Sequence, residues 1–379
     1  MKLEGPDVDA HINRLKEEDQ GPFRAAYEEY REEIRDEEVE ATIDQRLYRW
    51  RKHVDLVVSV ASGFSPDTDS IGDESRFIFH STDPLTQISS SGADVLLARN
   101  ELRRIHLCVV VCEIGDERVG DWVDNVNNSY SMFEEDSSLD RICDQLGFPE
   151  KDIGEVQYVL LSRKTDLQGL PLNDISNRVM PDKFAIWSAE TTEESEICHE
   201  YGNHIHRDLR DIADGCFDWA FFGENPIKYT LETHPVIPLK KVIFGLVRAK
   251  KTFGTDPEPL EFNKEDFREK YESYLQIGCN GDRKESLVRE ATADIFELGE
   301  QIGIFSTETN TVRDYRIMFP GRSEDPLEAQ EAVKEKYISL AKEVQRTTLA
   351  FERANTDFDS LQADLDKWSS DDSDISWEI

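Results

Sequence analysis

The sequence is short of basic residues. Lys and Arg total 44 against 80 Asp and Glu, a formal net charge of −36 over 379 residues. The acids are spread through the chain instead of forming one tail, and a carboxylate coat keeps a protein hydrated in concentrated salt, where the Debye length is about 3 Å. We therefore predict a halophilic protein. The alternative is an acidic protein that binds a basic partner. In ordinary salt this net negative charge opposes DNA binding. The few basic clusters are therefore the parts of the chain to consider for DNA contact.

Cysteine is also scarce, and none of the six forms a CxxC pair. A chain of this length needs no disulfide staples, so free thiols in a reducing compartment are expected. No apolar run approaches the roughly 20 residues that span a bilayer. The start of the sequence has no apolar stretch of a secretory signal. These absences predict a cytoplasmic protein with no membrane partner.

Several motifs of common enzymes are missing. The sequence contains no GxxxxGK[ST], GxGxxG, HExxH or GxSxG motif and no EF-hand loop. Nucleotide hydrolysis and the standard hydrolase mechanisms therefore have no support. Aromatic residues are plentiful, with 19 Phe, 11 Tyr and 6 Trp, and their apolar area favours a folded chain over a disordered one.

Hydrophobic periodicity predicts a mixed α/β region followed by a mostly helical one. The predicted helices of the first region cover 7–19, 22–53, 119–134 and 192–213, and the predicted strands cover 76–80, 93–98, 105–114, 156–162 and 184–188. In the second region helices are predicted over 235–251, 263–275, 285–301 and 325–367, with a hairpin over 302–319.

Two carboxylates stand at matching ends of a predicted hairpin. Asp94 begins one strand, and Glu113 ends the next, which is almost continuously apolar. A hairpin places the start of one strand beside the end of the other, so both carboxylates should lie at one sheet edge. There they require a divalent cation or a shared proton, and oxygen ligands suit Mg²⁺ or Mn²⁺. The alternative is that Asp94 caps a turn and Glu113 is a surface acid.

This pattern resembles the PD-(D/E)xK, or restriction-endonuclease-like, nuclease superfamily over roughly residues 35–190. The resemblance implies metal-dependent phosphodiester hydrolysis, with Asp94, Glu113 and the Ile114 carbonyl holding the ion. In some members the following helix carries a Gln and a Tyr near the site. This chain has no Gln there; the stretch holds Trp122, Asn125, Asn127, Asn128 and Tyr130.

Pro and Gly residues between 225 and 255 indicate a domain boundary. Residues 1–230 would form the nuclease-like α/β domain with its N-terminal helices, built on a mixed sheet. Residues 231–379 would form the helical C-terminal domain with one β-hairpin.

The main departure from the family is the missing lysine. The family places it two residues after the Glu, where this chain has Gly115. Another basic side chain would have to polarise the phosphate, and Arg118, Lys164 and Arg103 are the candidates. Otherwise the site has lost catalysis.

Local basic clusters predict contacts with nucleic acid, with Tyr48 or Trp50 available to stack on bases. The alternative is that these cations pair with nearby carboxylates and helix C-termini. The residues predicted to contact DNA are Arg49, Arg51, Lys52, Arg103, Arg104, Lys240, Lys241, Lys250 and Lys251.

A short segment concentrates soft ligands, but its spacing matches no standard zinc finger or ribbon. We therefore do not expect zinc at these residues, which are Cys198, His199, His204, His206 and Cys216.

Two C-terminal features suggest binding partners. Helix 285–301 with its hairpin is similar to the last helix and wing of a winged-helix domain, although the helix is acidic. The helix beginning near 326 carries an apolar stripe that could pair with a protein partner or a second copy.

The sequence thus favours a divalent-metal nuclease, or nuclease-derived protein, acting on DNA in defence, repair or mobile-element biology. The alternative is a non-catalytic DNA- or protein-binding module that kept the fold and lost the lysine.

Overall fold

A computed structural model describes most of the chain. The described residues are 5–65, 75–85, 92–101, 104–115, 119–148, 153–190, 196–204, 206–218, 227–231, 233–253, 261–277, 282–307, 316–318 and 325–371.

The chain forms a mixed α/β protein with a helical C-terminal region, as the sequence predicts. The helices in chain order are α1 Val8–Ile12, α2 Glu17–Glu33, α3 Asp36–Gly63, α4 Val119–Glu134, α5 Asp136–Leu146, α6 Lys164–Leu167, α7 Leu172–Arg178, α8 Arg207–Asp214, α9 Val236–Phe253, α10 Lys264–Glu272, α11 Asp282–Gln301 and α12 Pro326–Asp371. The strands are β1 Ile78–Thr82, β2 Val95–Glu101, β3 Arg104–Glu113, β4 Ile153–Arg163, β5 Phe184–Ala189, β6 Glu196–Gly202, β7 Phe217–Asp218, β8 Glu261–Asn263, β9 Ser306–Thr307 and β10 Arg316–Met318.

The main sheet has seven strands in the order β1-β2-β3-β4-β5-β6-β7. Strand β2 pairs antiparallel with β1 and β3, whereas β3, β4 and β5 run parallel to one another. Strands β6 and β7 close the far side with antiparallel pairs. The carboxyl ends of three parallel strands therefore meet at one edge of the sheet, and the start of β2 lies at that same edge.

Each face of the sheet has its own hydrophobic core. The second half of α3 packs on one face through Leu56, Val57 and Val60, together with α8. Helix α4 covers the other face through Trp122 and Val126. The central strands are buried on both faces, which explains why β3 and β4 are nearly continuous apolar runs.

A third core is mostly helical and also includes Phe262 of strand β8. Helices α1 and α2 and the first half of α3 pack with α9, α10, α11 and α12, so the two ends of the chain share one core. Helix α3 thus contributes Val39 and Ile43 to the helical core and its second half to the sheet. The predicted boundary near residue 230 stays a prediction.

A small three-stranded sheet, ordered β8-β10-β9, accompanies α10 and α11. Strands β9 and β10 pair antiparallel, as predicted for the hairpin, and the connection between them lies outside the described residues.

The prediction of one helix over 192–213 is wrong. Residues 196–202 form strand β6, and only Arg207–Asp214 is helical. Pairing with the edge of β5 overrides the local helical pattern. Gly202 ends the strand at φ +95°, where a Cβ atom would lie 2.3 Å from the Phe184 carbonyl oxygen.

The predicted helix over 22–53 is also divided differently. Helix α2 ends at Glu33, Ile34 is extended and buried, and α3 continues to Gly63. Within the described ranges, no helix is both long and apolar enough to cross a bilayer.

Candidate functional site

Asp94 lies at the start of β2 and is held by the backbone of β3. Its amide donates to the Val110 carbonyl at 2.9 Å, and its Oδ2 accepts from the Cys112 amide at 2.6 Å. Its Oδ1 lies 2.9 Å from His53 Nε2. The carboxylate therefore points along the carboxyl end of β3 toward helix α3.

Glu113 ends β3 at the same edge and is 5% exposed. Burial raises the pKa of Glu113 to about 7, with the Asp94 charge adding to the rise, while a hydrogen bond from Asn125 and the charges of His53 and Arg49 oppose it. The Asn125 Nδ2 donates to Oε1 at 2.7 Å. Asp94 thus lies near enough for its charge to act on Glu113.

His53 joins these two carboxylates from α3. Burial alone would lower its pKa, but Asp94, by charge and hydrogen bond, and the charges of Glu113 and Asp83 raise it to about 9. At neutral pH His53 is therefore an imidazolium that neutralises part of the acidic cluster.

Asp83 was not singled out from the sequence. It follows β1, is buried, and has φ 49°. Its amide donates to the Asp94 carbonyl at 3.0 Å, and its Oδ2 accepts from the Leu231 amide at 3.2 Å. The sequence pattern does not identify Asp83 as a site residue, because its contacts with Asp94 and Leu231 form only in the folded chain.

A cavity of about 340 Å³ opens beside these groups. Cationic and aromatic side chains of α3 form one wall, and Glu113 and Ile114 form another. Trp50 stacks on His234 at 3.8 Å between ring centroids, and burial lowers the pKa of His234 to about 4. The lining residues are Arg46, Arg49, Trp50, His53, Val54, Glu113, Ile114, Thr233 and His234.

The position of the missing lysine is filled by a neighbour. The Gly115 amide donates to Asp166 Oδ2 at 3.1 Å, and a Cβ atom at Gly115 would lie 2.8 Å from Asp166 Cγ. Arg163 holds Asp166 through two contacts of 2.6 Å and also donates to Tyr48 Oη at 3.0 Å.

Of the three basic residues predicted to replace the missing lysine, the structure describes only Lys164. Lys164 is exposed and begins α6, directly after β4, at the same sheet edge as Glu113. Arg118 and Arg103 lie outside the described residues. Arg49 lines the cavity and acts on the charge of Glu113.

Two of the predicted DNA-binding clusters come together. Burial lowers the pKa of Lys241, and the charge of Arg51 lowers it further. Burial also lowers the pKa of Lys240; Glu331 opposes this, and the charges of Lys334, Lys241 and Arg51 add to the lowering. Lys52 Nζ lies 3.6 Å from Asp55 Oδ2. Helices α3 and α9 therefore form one basic surface next to the cavity.

The remaining cations lie elsewhere. Arg104 begins β3 and is exposed, nine residues before Glu113 and therefore roughly 30 Å from it along the strand. The side chains of Lys250 and Lys251, in the last turns of α9, are outside the described side chains.

The expectation of free cysteines is wrong at two positions. Cys198 and Cys216 form a disulfide that joins β6 to the start of β7. They are near Glu196, but sulfurs joined to each other are not available as thiolates for a metal. His199 Nδ1 contacts Asp214 Oδ1 at 2.6 Å, and His204 Nε2 accepts from Trp187 Nε1 at 2.8 Å. His206 lies apart, against His106.

No protein-family model, curated protein or solved structure matches this chain.

Proposed function

We propose that the chain is a divalent-metal-dependent phosphodiesterase acting on DNA, a nuclease or nuclease-derived protein. The observation that carries the proposal is the convergence of Asp94 and Glu113 at the carboxyl edge of the parallel strands, beside a cavity lined by Arg46, Arg49 and His53. Ligands of α/β sheets bind outside the carboxyl ends of the strands.

The donor set fits Mg²⁺ or Mn²⁺. Asp94, Glu113 and the Ile114 carbonyl would supply oxygen ligands, which these ions prefer. The raised pKa values of Glu113 and His53 fit as well, because removal of their protons would leave a negative cluster that attracts a cation. When bound, such an ion activates a water molecule and stabilises charge on the attacked phosphate.

The residues of α3 have a defined task in this proposal. Arg49 lies near Glu113 and faces the cavity, so it can bind the phosphate that the carboxylates address. His53 orients Asp94 through the 2.9 Å contact. The cationic group thus comes from the helix that precedes the sheet, whereas the family pattern places it on the strand. The basic surface of Arg51, Lys240 and Lys241 extends the site for the DNA backbone.

The test is cleavage of supercoiled plasmid and of single-stranded DNA in concentrated KCl with Mg²⁺ or Mn²⁺. Glu113→Gln should lose at least the roughly 10–100-fold that removal of an outer-shell partner costs a metal site. The fold should persist, because a Gln amide oxygen can still accept from Asn125 and no carboxyl remains to be desolvated. Arg49→Gln should weaken cleavage, because the cavity loses the cation proposed to bind the phosphate.

Asp124→Asn is the matched control. Asp124 is exposed on α4 next to Asn125 and also loses one negative charge, but it does not face the cavity. Cleavage that is equal in wild type and Glu113→Gln, or absent from both, would refute the catalytic proposal.

A second function is favoured by the contact at Gly115. Asp166 occupies the space of the missing lysine, which suits a DNA- or protein-binding module that has lost catalysis. Such a module would shift DNA in a mobility assay without cutting it, and Glu113→Gln would not change its affinity. The predicted winged-helix element is compatible with either function, since α11 precedes the β9–β10 pair.

The cellular location is also a proposal. Sequence composition favours the cytoplasm, whereas the Cys198–Cys216 disulfide bond is more typical of a compartment that is not strongly reducing. The apolar stripe of α12 includes Tyr337 and Ala341, which are buried within this chain, so an oligomer would have to use another surface of that helix.

A further inference from the structure

A second group of metal-ligating side chains lies away from Asp94 and Glu113. One ligand atom from each of His106, Glu155 and His206 lies within 4.8 Å of the others. His106 is near the start of β3, Glu155 is near the start of β4, and His206 immediately precedes α8. His106 is seven residues before Glu113, which places the group roughly 23 Å from that site along the strand.

His206 has a buried nitrogen that lacks a partner. Its Nε2 is inaccessible to water and makes no hydrogen bond with any described residue. The ring lies edge-on to His106, with centroids 4.6 Å apart, and contacts Phe77 at 5.2 Å. A buried polar atom without a hydrogen-bond partner costs folding free energy, so a metal ion bound at this nitrogen would remove that cost.

His106 presents its two ring nitrogens to different groups. In the metal-free chain Nδ1 accepts from the Glu155 amide at 3.2 Å, and a metal bound at Nδ1 would replace that hydrogen bond. Its Nε2 faces Glu101 Oε2 at 3.6 Å, and Arg99 holds Glu101 at 2.8 Å. A metal-bound histidine commonly directs its other N–H to a carboxylate in this way.

The backbone of β4 makes room for the His106 ring. A Cβ atom at Gly154 would lie 2.8 Å from His106 Cε1 and 2.9 Å from Nδ1. The absence of a side chain there lets the imidazole lie against the strand that carries Glu155. The Glu155 carboxylate is held by Lys183 through Oε1 at 2.5 Å, which leaves Oε2 for a ligand.

We propose that His106, His206 and Glu155 form a Zn²⁺ site, with water in the fourth position. Two imidazole nitrogens and one carboxylate are ligands that Zn²⁺ accepts, whereas Mg²⁺ prefers oxygen alone. The site ties the segment before α8 to the parallel strands β3 and β4. Its ligands are about 50 residues apart in sequence, so the site cannot be recognised from a short sequence motif.

The experiment uses the full metal-free chain without reductant, so that the disulfide stays closed, and Co²⁺ as a spectroscopic probe. With Mg²⁺ in excess to occupy the oxygen ligands at Asp94 and Glu113, we expect one Co²⁺ per chain with the visible absorption of a four-coordinate ion, and displacement by Zn²⁺. His206→Gln and Glu155→Gln should each lower Co²⁺ affinity by at least about tenfold. Glu155 is exposed enough for its variant to fold, which circular dichroism would verify.

Two controls separate this site from its neighbours. His204→Gln changes a histidine of the same segment that bonds to Trp187, and it should bind Co²⁺ as wild type does. Glu113→Gln should keep the same four-coordinate absorption, because the proposed nuclease centre lies roughly 23 Å away along the strand. Absence of binding in wild type, or equal Co²⁺ affinity in wild type and His206→Gln, would overturn the proposal.

Discussion

At the scale of single residues, Gly115 marks where this chain departs from the pattern that it resembles. Its amide bonds to Asp166, and Asp166 is fixed by two contacts from Arg163. A side chain at position 115 must therefore displace a carboxylate that cannot move easily. Insertion of a lysine alone would disturb this arrangement before it could serve catalysis.

We predict that Gly115→Ala destabilises the protein by about 1–3 kcal/mol, because its Cβ would overlap Asp166. In an Asp166→Ala background the cost should fall, with a coupling energy above about 0.5 kcal/mol. Urea unfolding of the four chains measures it. Gly21→Ala is the control: nothing lies within 4 Å of its Cβ, and alanine should stabilise α2 by about 0.5–1 kcal/mol. Additive effects of the Gly115 and Asp166 changes would contradict the contact.

The His53–Asp94 pair predicts a pH dependence of stability. The folded pKa of His53 is raised to about 9 from 6.5, so its contribution is fully present below pH 6.5 and is lost as pH rises to 9. Glu113, raised from 4.5 to about 7, contributes below pH 4.5, and that contribution is lost as pH rises through 7. Both groups therefore make the metal-free protein less stable toward alkaline pH.

We expect His53→Asn to remove most of the stability loss between pH 6.5 and 9, at most about 3 kcal/mol by linkage. Unfolding free energies at several pH values, without divalent ions, measure the slope. His204→Asn should keep the wild-type slope between pH 6.5 and 9, because the pKa of His204 is lowered to about 4 and its contribution to the slope lies below about pH 6.5. Equal slopes in wild type and His53→Asn would mean that the pair does not hold its proton as described.

Part of this site could be predicted from the sequence. The approach of Asp94 to Glu113 follows from hairpin geometry, and Asn125 lies on the helix where polar site residues were expected. The contributions of His53 and Asp83 could not be predicted, because they depend on how α3 and the turn after β1 pack on the sheet. The residue that fills the lysine position, Asp166, lies 51 positions from Gly115.

At the scale of elements, strong periodicity was a good guide. Helix α4 occupies Val119–Glu134 as predicted, and β3, β4 and β5 are found where apolar runs predict strands. The failures occur where tertiary pairing decides. Strand β6 has helical-looking sequence but adds to the edge of β5, and the Cys198–Cys216 bond becomes possible only because β6 lies beside β7.

At the scale of the whole molecule, charge repulsion competes with exposed ion pairs. Helix α12 forms such pairs with α2 and α3, including Arg346–Asp36, Lys342–Glu40 and Arg353–Glu38. Exposed pairs contribute about 0–1 kcal/mol each and weaken in salt. The formal charge of −36 acts over the entire surface. We therefore expect relief of repulsion to outweigh the loss of the pairs.

The prediction is that the urea midpoint rises as KCl increases from about 0.2 M to about 2 M, because salt screens the excess carboxylates. The double variant Lys342→Gln/Arg346→Gln should depend more steeply on salt, since it removes attractive pairs and adds net negative charge. A midpoint that falls with salt would mean that the ion pairs dominate, and it would contradict the halophilic interpretation.

The shared core of the two chain ends also affects folding during translation. On α2, Phe23 packs against Phe351 and Phe358, which the ribosome adds more than 300 residues later. The first helices therefore emerge with exposed aromatic side chains and no partner until synthesis is nearly complete, a situation that favours aggregation. The second half of α3 can dock as soon as the sheet forms, so this one helix would fold in two stages separated by most of the translation time.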